Sequence, residues 1–91
     1  MAHAIRDSGK LKVRLARIRG QIDAVSRALD EEQECGQVLQ QLAAIRGAVT
    51  GLLGEVLQGH VREHLTGKGL SDADRRYAAD ELIEVLRRYL R

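Results

Sequence analysis

Two long runs of apolar residues with heptad spacing constrain this chain more than any other feature. In residues 11–29 and 38–56, apolar side chains recur in alternating steps of four and three. They are Leu11, Leu15, Ile18, Ile22, Val25 and Leu29, then Val38, Leu42, Ile45, Val49, Leu52 and Val56. This spacing is typical of helices that bury one stripe against another helix. The chain has no Pro, Phe or Trp, which argues against sandwiches and barrels with aromatic strands.

Capping residues divide the chain into three helices. Asp7 or Ser8 is placed to cap the first helix. The second helix is expected to begin at Cys35, three residues before the second heptad run, and Gly67 and Gly69 mark its end. Ser71 followed by Asp74 matches a capping box at the start of a third helix. The sequence therefore predicts an all-α fold with long antiparallel helices 1 and 2 and a short helix 3.

The length of the second helix bears on assembly. A helix of about 31 residues is about 46 Å long, whereas a compact monomer of this size has a radius of gyration near 12 Å. One hairpin of that length cannot cover its own apolar surface. We therefore expect a single domain, residues 1–91, that assembles as an antiparallel helical dimer or a higher homo-oligomer.

Composition also predicts the cellular compartment. No apolar run approaches the roughly 18 residues of a membrane span, so no membrane partner is expected. The one cysteine fits a reducing cytosol, and we expect the protein to be cytoplasmic.

Positive charge is concentrated at the start of the chain. Residues 1–29 hold seven Lys or Arg against two Asp, a net charge of +5, whereas the whole chain carries +2. Such a segment favours a polyanionic partner, although a solvated helix face would have the same composition.

The residues best suited to chemistry are the three histidines and the only cysteine: His3, Cys35, His60 and His64. The i, i+4 spacing of His60 and His64 places both rings on one helical face, where they can bind one ion. Cys35 is about 37 Å from His60 along a continuous helix, so the two cannot share an ion within one chain. Two antiparallel copies of helix 2 would bring them together, with the two-fold axis between residues 47 and 48. Small side chains cluster at that point: Ala43, Ala44, Gly47, Ala48, Gly51 and Gly54.

A hairpin that turns near residue 32 would also place His3 opposite residue 61 of the same chain. Three imidazoles would then come from one protomer and the thiolate of Cys35 from its partner. The amine of Ala2, once the initiator methionine is removed, could join them as a further ligand. One thiolate among nitrogen donors suits Co²⁺, Ni²⁺ or Zn²⁺ better than Cu⁺, and more than four donors favours cobalt or nickel over tetrahedral zinc. Alternatively, these residues are an unrelated surface pair, a packed thiol and a tail histidine.

Several segments resemble the CsoR/RcnR/FrmR family of all-helical bacterial repressors. They are residues 17–22, Glu34-Cys35, residues 38–48 and Gly59-His60. The resemblance implies a dimer-of-dimers tetramer that binds double-stranded operator DNA without a helix-turn-helix. His3, Cys35, His60 and His64 resemble the ligand positions of the nickel/cobalt branch, whereas copper sensors carry a second cysteine.

The formaldehyde branch of that family remains an alternative. Its members use an N-terminal proline amine near the cysteine and typically carry Glu at the position of His64. Ala2 departs from that pattern, but a primary amine and the thiolate of Cys35 can also trap an aldehyde.

The DNA-binding residues are expected on helix 1. Basic and polar side chains form one stripe beside its apolar residues: Arg6, Lys10, Arg14, Arg17 and Gln21. Arginines can engage phosphates or guanine edges. The family resemblance implies DNA-binding roles for Arg14 and Arg17 most strongly and for Lys10 next. It also implies that metal-free protein binds the operator and that nickel or cobalt releases it, which derepresses an efflux or detoxification gene.

Two rival functions come from other classes. A small helical mutase would need charged residues facing a cavity, but both heptad runs are apolar throughout, so no enzyme activity is expected. A helical oligomerisation scaffold would explain the heptad runs and the small residues. It would leave the His/Cys arrangement and the basic stripe unexplained.

Overall fold

The computed structural model of the protein describes residue 5 and residues 8–89. Its helical elements are α1 (Ser8–Asp30), α2 (Cys35–His60), a π-helix (Val61–Leu65, called the π-turn below) and α3 (Asp72–Tyr89). No β-strand occurs within the described ranges. The prediction of an all-α fold with long helices 1 and 2 and a shorter helix 3 is confirmed.

A tight turn reverses the chain between α1 and α2. The amide of Gln33 donates to the carbonyl of Ala28 over 3.0 Å, and that of Glu32 donates to Leu29 over 3.2 Å. This pair of bonds is a Schellman motif, which requires a left-handed residue after the helix. Glu32 takes that position with φ 54°. The turn starts α2 at Cys35, as predicted, and α1 and α2 through Gly54 form one compact unit.

Each predicted heptad run divides into an inner and an outer set. Ile18 and Ala28 are buried. The half-buried positions of α1 and of α2 through Leu52 are Leu11, Arg14, Gln21, Ala24, Val25, Val38, Gln41, Ile45, Ala48 and Leu52. The other members of the two runs are 47–62% exposed: Leu15, Ile22, Leu29, Leu42 and Val49. We call these five residues the outer strip. Contact between the two helices of one protomer therefore covers only one flank of each heptad run.

The second helix ends differently from the prediction. Helical structure reaches Leu65 as expected, but the α-helix stops at His60 and the last five residues are π-helical. The amide of Thr66 donates to the carbonyl of Val61, five residues earlier, over 2.9 Å. Glu55 and the residues after it, including the π-turn and α3, belong to a second compact unit, in which α3 packs against the π-turn.

The capping box at the start of α3 is confirmed. The amide of Asp74 donates to the Ser71 hydroxyl over 3.0 Å, and the amide of Ser71 donates to the Asp74 carboxylate over 3.4 Å. In the part of the chain that is described, no helix combines the length and apolarity needed to cross a membrane.

Candidate metal centre and nucleic-acid interface

The two histidines of the i, i+4 pair lie side by side at the junction of α2 and the π-turn. His60 is the last residue of α2, and His64 lies within the π-turn. Their ring centroids are 5.2 Å apart and their planes are inclined by 60°. The structure therefore brings together the pair that the sequence spacing predicts, although the backbone between them is not α-helical.

A backbone carbonyl of α3 orients His60. Its Nε2 lies 2.9 Å from the carbonyl oxygen of Ala78, a residue with no exposed surface. Because a carbonyl only accepts hydrogen bonds, Nε2 must carry a proton, and in the neutral ring Nδ1 then carries the lone pair. Metal-binding histidines commonly donate their second ring nitrogen to a carbonyl in this way, which fixes the tautomer and the ring orientation. Sequence reasoning missed this contact, since a backbone carbonyl leaves no signature in residue type.

The histidine pair fits the chemistry of a divalent transition metal. Imidazole is a good ligand for zinc, nickel and cobalt, at metal–nitrogen distances of about 2.0–2.1 Å for zinc. Two rings with centroids 5.2 Å apart are close enough to bind the same ion at metal–nitrogen distances of this length. Among the residues described, no three His, Cys, Asp or Glu side chains form a cluster that could hold a metal.

The remaining predicted donors lie elsewhere. Cys35 is exposed at the start of α2, whereas His60 ends the same helix. That a second copy supplies the thiol stays a prediction. His3 and Ala2, like Arg6 of the basic stripe, fall outside the described residues.

The basic stripe of α1 is divided in the same way as the heptad runs. Lys10 and Arg17 are exposed, whereas Arg14 and Gln21 are half-buried. Arg14 and Gln21 follow Leu11 and Ile18 by three residues, and this spacing places them on the inner flank of the helix. Within α1 the stripe therefore presents two exposed cations, Lys10 and Arg17, beside two half-buried side chains, Arg14 and Gln21.

Arg14 lies over a glycine of α2. A Cβ atom added to Gly51 would stand 3.4 Å from Nη2 of Arg14, whereas one added to Gly47 or Gly54 would meet nothing within 4 Å. The sequence identified all three glycines as a small-residue cluster. The structure distinguishes Gly51 as the one of the three on which the guanidinium rests.

The model of a protein family described as "metal-sensitive transcriptional repressor" matches residues 7–88. The chain belongs to this family of repressors. The family resemblance that the sequence predicts is thereby confirmed, and a family of transcriptional repressors implies a DNA partner.

Individual members of the family show the same relationship over the whole chain. The protein is 48% identical to the transcriptional repressor RcnR of Salmonella arizonae and 47% identical to RcnR of Escherichia coli K12. Both alignments cover all 91 residues of this chain and the complete relative. A solved structure is also similar: a histidine-for-glutamate variant of the formaldehyde-responsive regulator FrmR from Salmonella enterica serovar Typhimurium. It has a TM-score of 0.86 and 36% identity, covering 97% of this chain and 99% of that one.

Proposed function

We propose that this metal-sensitive repressor responds to nickel or cobalt. In the proposal, the metal-free protein binds operator DNA and the metal-loaded protein releases it, which derepresses an efflux or detoxification gene. The observation that carries the proposal is the His60–His64 pair, in which the Ala78 carbonyl orients His60 with Nδ1 as its available donor. The relatives named RcnR, at 47–48% identity over the full chain, support it.

The proposed ligands are His3, His60 and His64 of one protomer and Cys35 of its partner, with the Ala2 amine as a further donor. This set contains one soft sulfur among nitrogens, which suits Ni²⁺ and Co²⁺ and is also compatible with Zn²⁺. When bound, the ion supplies a set of coordinate bonds shared between two copies of the chain.

The outer strip supports the assembly that this site requires. Five apolar side chains that lie seven residues apart along each helix are left exposed in the protomer, and we propose that a second copy covers them. Cys35 occupies the same heptad position as Leu42 and Val49, seven residues before Leu42. A copy that covers the strip therefore also lies against Cys35. An isologous dimer made in this way would hold two equivalent sites, and a dimer of dimers would follow the family pattern.

DNA binding is proposed for α1. Lys10 and Arg17 are the exposed cations that can reach phosphates directly, and Arg14 extends from the inner flank across Gly51. Drawing together the His60 end of one α2 and the Cys35 end of the other would change the angle between the helices that carry these cations. A coupling of about 1–3 kcal/mol would lower the DNA affinity about 5- to 150-fold. This function belongs in the cytoplasm, with residues 1–91 acting as one sensing and DNA-binding domain.

A fluorescence-anisotropy titration of the gene's own upstream DNA tests the proposal. The metal-free protein should bind the DNA tightly and release it when nickel or cobalt is added. Cys35→Ala should still bind the DNA tightly without metal but should no longer release it when metal is added. Normal metal-induced release by Cys35→Ala would show that the ligand assignment is wrong.

A second effector is tested in the same experiment. The similarity to the formaldehyde-responsive FrmR and the exposure of Cys35 favour an aldehyde as the alternative. Release by formaldehyde but not by metal would make the Ala2 amine and Cys35 the reactive pair and give His64 a structural role.

A further inference from the structure

We propose that Arg75 is a positioning residue for the histidine pair. Its guanidinium, in the first turn of α3, holds the π-turn closed and so sets the separation of His60 and His64. This inference rests on the metal-binding role proposed above for these two histidines.

The π-turn needs an external partner at its end. It is closed by the amide of Thr66, which donates to the Val61 carbonyl over 2.9 Å, and by the Thr66 hydroxyl, which donates to the same oxygen over 3.3 Å. The last carbonyls of a helical segment have no partner within the segment. Single π-helical turns are rare and occur frequently at functional sites.

Arg75 supplies that partner. Its Nε donates to the carbonyl of Leu65, the last residue of the π-turn, over 3.2 Å. Its Nη2 donates to the carbonyl of Gly67 over 3.4 Å. The planar guanidinium can serve both carbonyls at once, which the single ammonium of a lysine cannot do with the same geometry. The nearby carboxylate of Asp72, at 3.8 Å and fully exposed, adds little.

Gly67 shows how tightly the chain returns over the π-turn. A Cβ atom at this position would lie 2.8 Å from the carbonyl oxygen of Glu63 and 3.1 Å from that of Arg62. Both oxygens belong to the π-turn backbone, so they cannot move away without opening it. Arg75 therefore stabilises the close approach of residue 67 to the π-turn, which only glycine permits.

One face of α3 contacts both ends of the π-turn. Arg75 and Ala78 are three residues apart, and residues at this spacing are neighbours on a helix surface. Ala78 accepts the hydrogen bond of His60 just before the π-turn, and Arg75 binds Leu65 at its end. His64 lies between these two points, so its position relative to His60 depends on both contacts.

The test compares Arg75→Gln with Arg76→Gln, which removes the same charge from the exposed neighbouring residue. The first measurement needs no metal: amide hydrogen exchange at Thr66, followed by NMR. Arg75→Gln should exchange about 10-fold faster than wild type, the scale expected for the loss of roughly one hydrogen bond to a charged group. Arg76→Gln should exchange like wild type, and Arg75→Lys should fall between them.

The second measurement is a Co²⁺ titration of each full-length variant, read from the visible absorption of the bound ion. Arg75→Gln should bind cobalt about 10-fold more weakly and with a changed spectrum, whereas Arg76→Gln should match wild type. If Arg75→Gln folds poorly, Gly67→Ala provides a second perturbation of the same turn. It should also weaken cobalt binding and speed the exchange of Thr66.

The outcomes separate the two proposals. Unchanged Thr66 exchange in Arg75→Gln would overturn the positioning role of Arg75 while leaving the metal site intact. Faster exchange with unchanged cobalt binding would also overturn it, because the π-turn would then open without affecting the ligands. A wild-type protein that binds no cobalt would refute the proposed function, and with it the site that Arg75 is proposed to position.

Discussion

Replacing Ile22 by glutamine should weaken self-association of this repressor by about 30-fold. Ile22 is at the middle of the α1 part of the outer strip and is 53% exposed in the protomer. Full burial of an isoleucine side chain contributes about 1.5–3 kcal/mol, so covering the exposed half contributes roughly 1 kcal/mol. An isologous interface contains the residue twice, which gives about 2 kcal/mol per dimer, or about 30-fold in the dissociation constant.

Sedimentation equilibrium over a range of protein concentrations measures this change directly. Val13→Gln is the matched control, because Val13 is 63% exposed and lies outside both the inner and the outer set. It should leave the dissociation constant within about two-fold of wild type, since it removes no apolar contact between copies. Equal weakening by both variants, or none by Ile22→Gln, would refute the assignment of the outer strip as the contact between copies.

Three further substitutions test local features. Glu32→Gly should raise the free energy of unfolding by about 0.5–1 kcal/mol in thermal melts, because glycine adopts the positive φ of this turn at little cost; a lower melting temperature would contradict this. Gly51→Leu should displace Arg14 and weaken operator binding about tenfold by anisotropy, the scale of one charge-assisted contact. Unchanged operator affinity in Gly51→Leu would contradict this role of Arg14. Ser71→Ala should lower stability by about 1 kcal/mol through loss of the helix cap, and an unchanged melting temperature would count against it.

Features set by local chemistry were predictable from the sequence. The Ser71–Asp74 capping box and the start of α2 at Cys35 depend on residues within one turn of each other. The pairing of His60 with His64 also depends on short spacing, and it holds although the intervening backbone is π-helical. The all-α class followed from periodicity together with the absence of Phe and Trp.

Features set by contacts distant in sequence were not predictable. A heptad run offers two flanks, and periodicity alone does not say which one faces the other helix of the same chain. The inner flank contains Arg14, Gln21 and Gln41, whereas the outer strip consists of large apolar residues, so a ranking by hydrophobicity would have chosen the wrong flank. The π-turn escaped prediction for a related reason, because its last carbonyl bonds to Arg75, ten residues further along the chain.

The polar inner flank and the apolar outer strip connect the proposed metal site with the proposed dimer. Gln21 and Gln41 each bury a side-chain oxygen that accepts no hydrogen bond from any described residue, an arrangement that costs stability within the protomer. Burial of the apolar outer strip can offset this cost only when a second copy covers the strip. Cys35 continues the outer strip by one heptad, so in the proposed dimer the covering copy would also be the one that receives its thiolate. Metal binding and self-association would then be linked equilibria, and by reciprocity an ion that favours the paired state would bind more tightly to it.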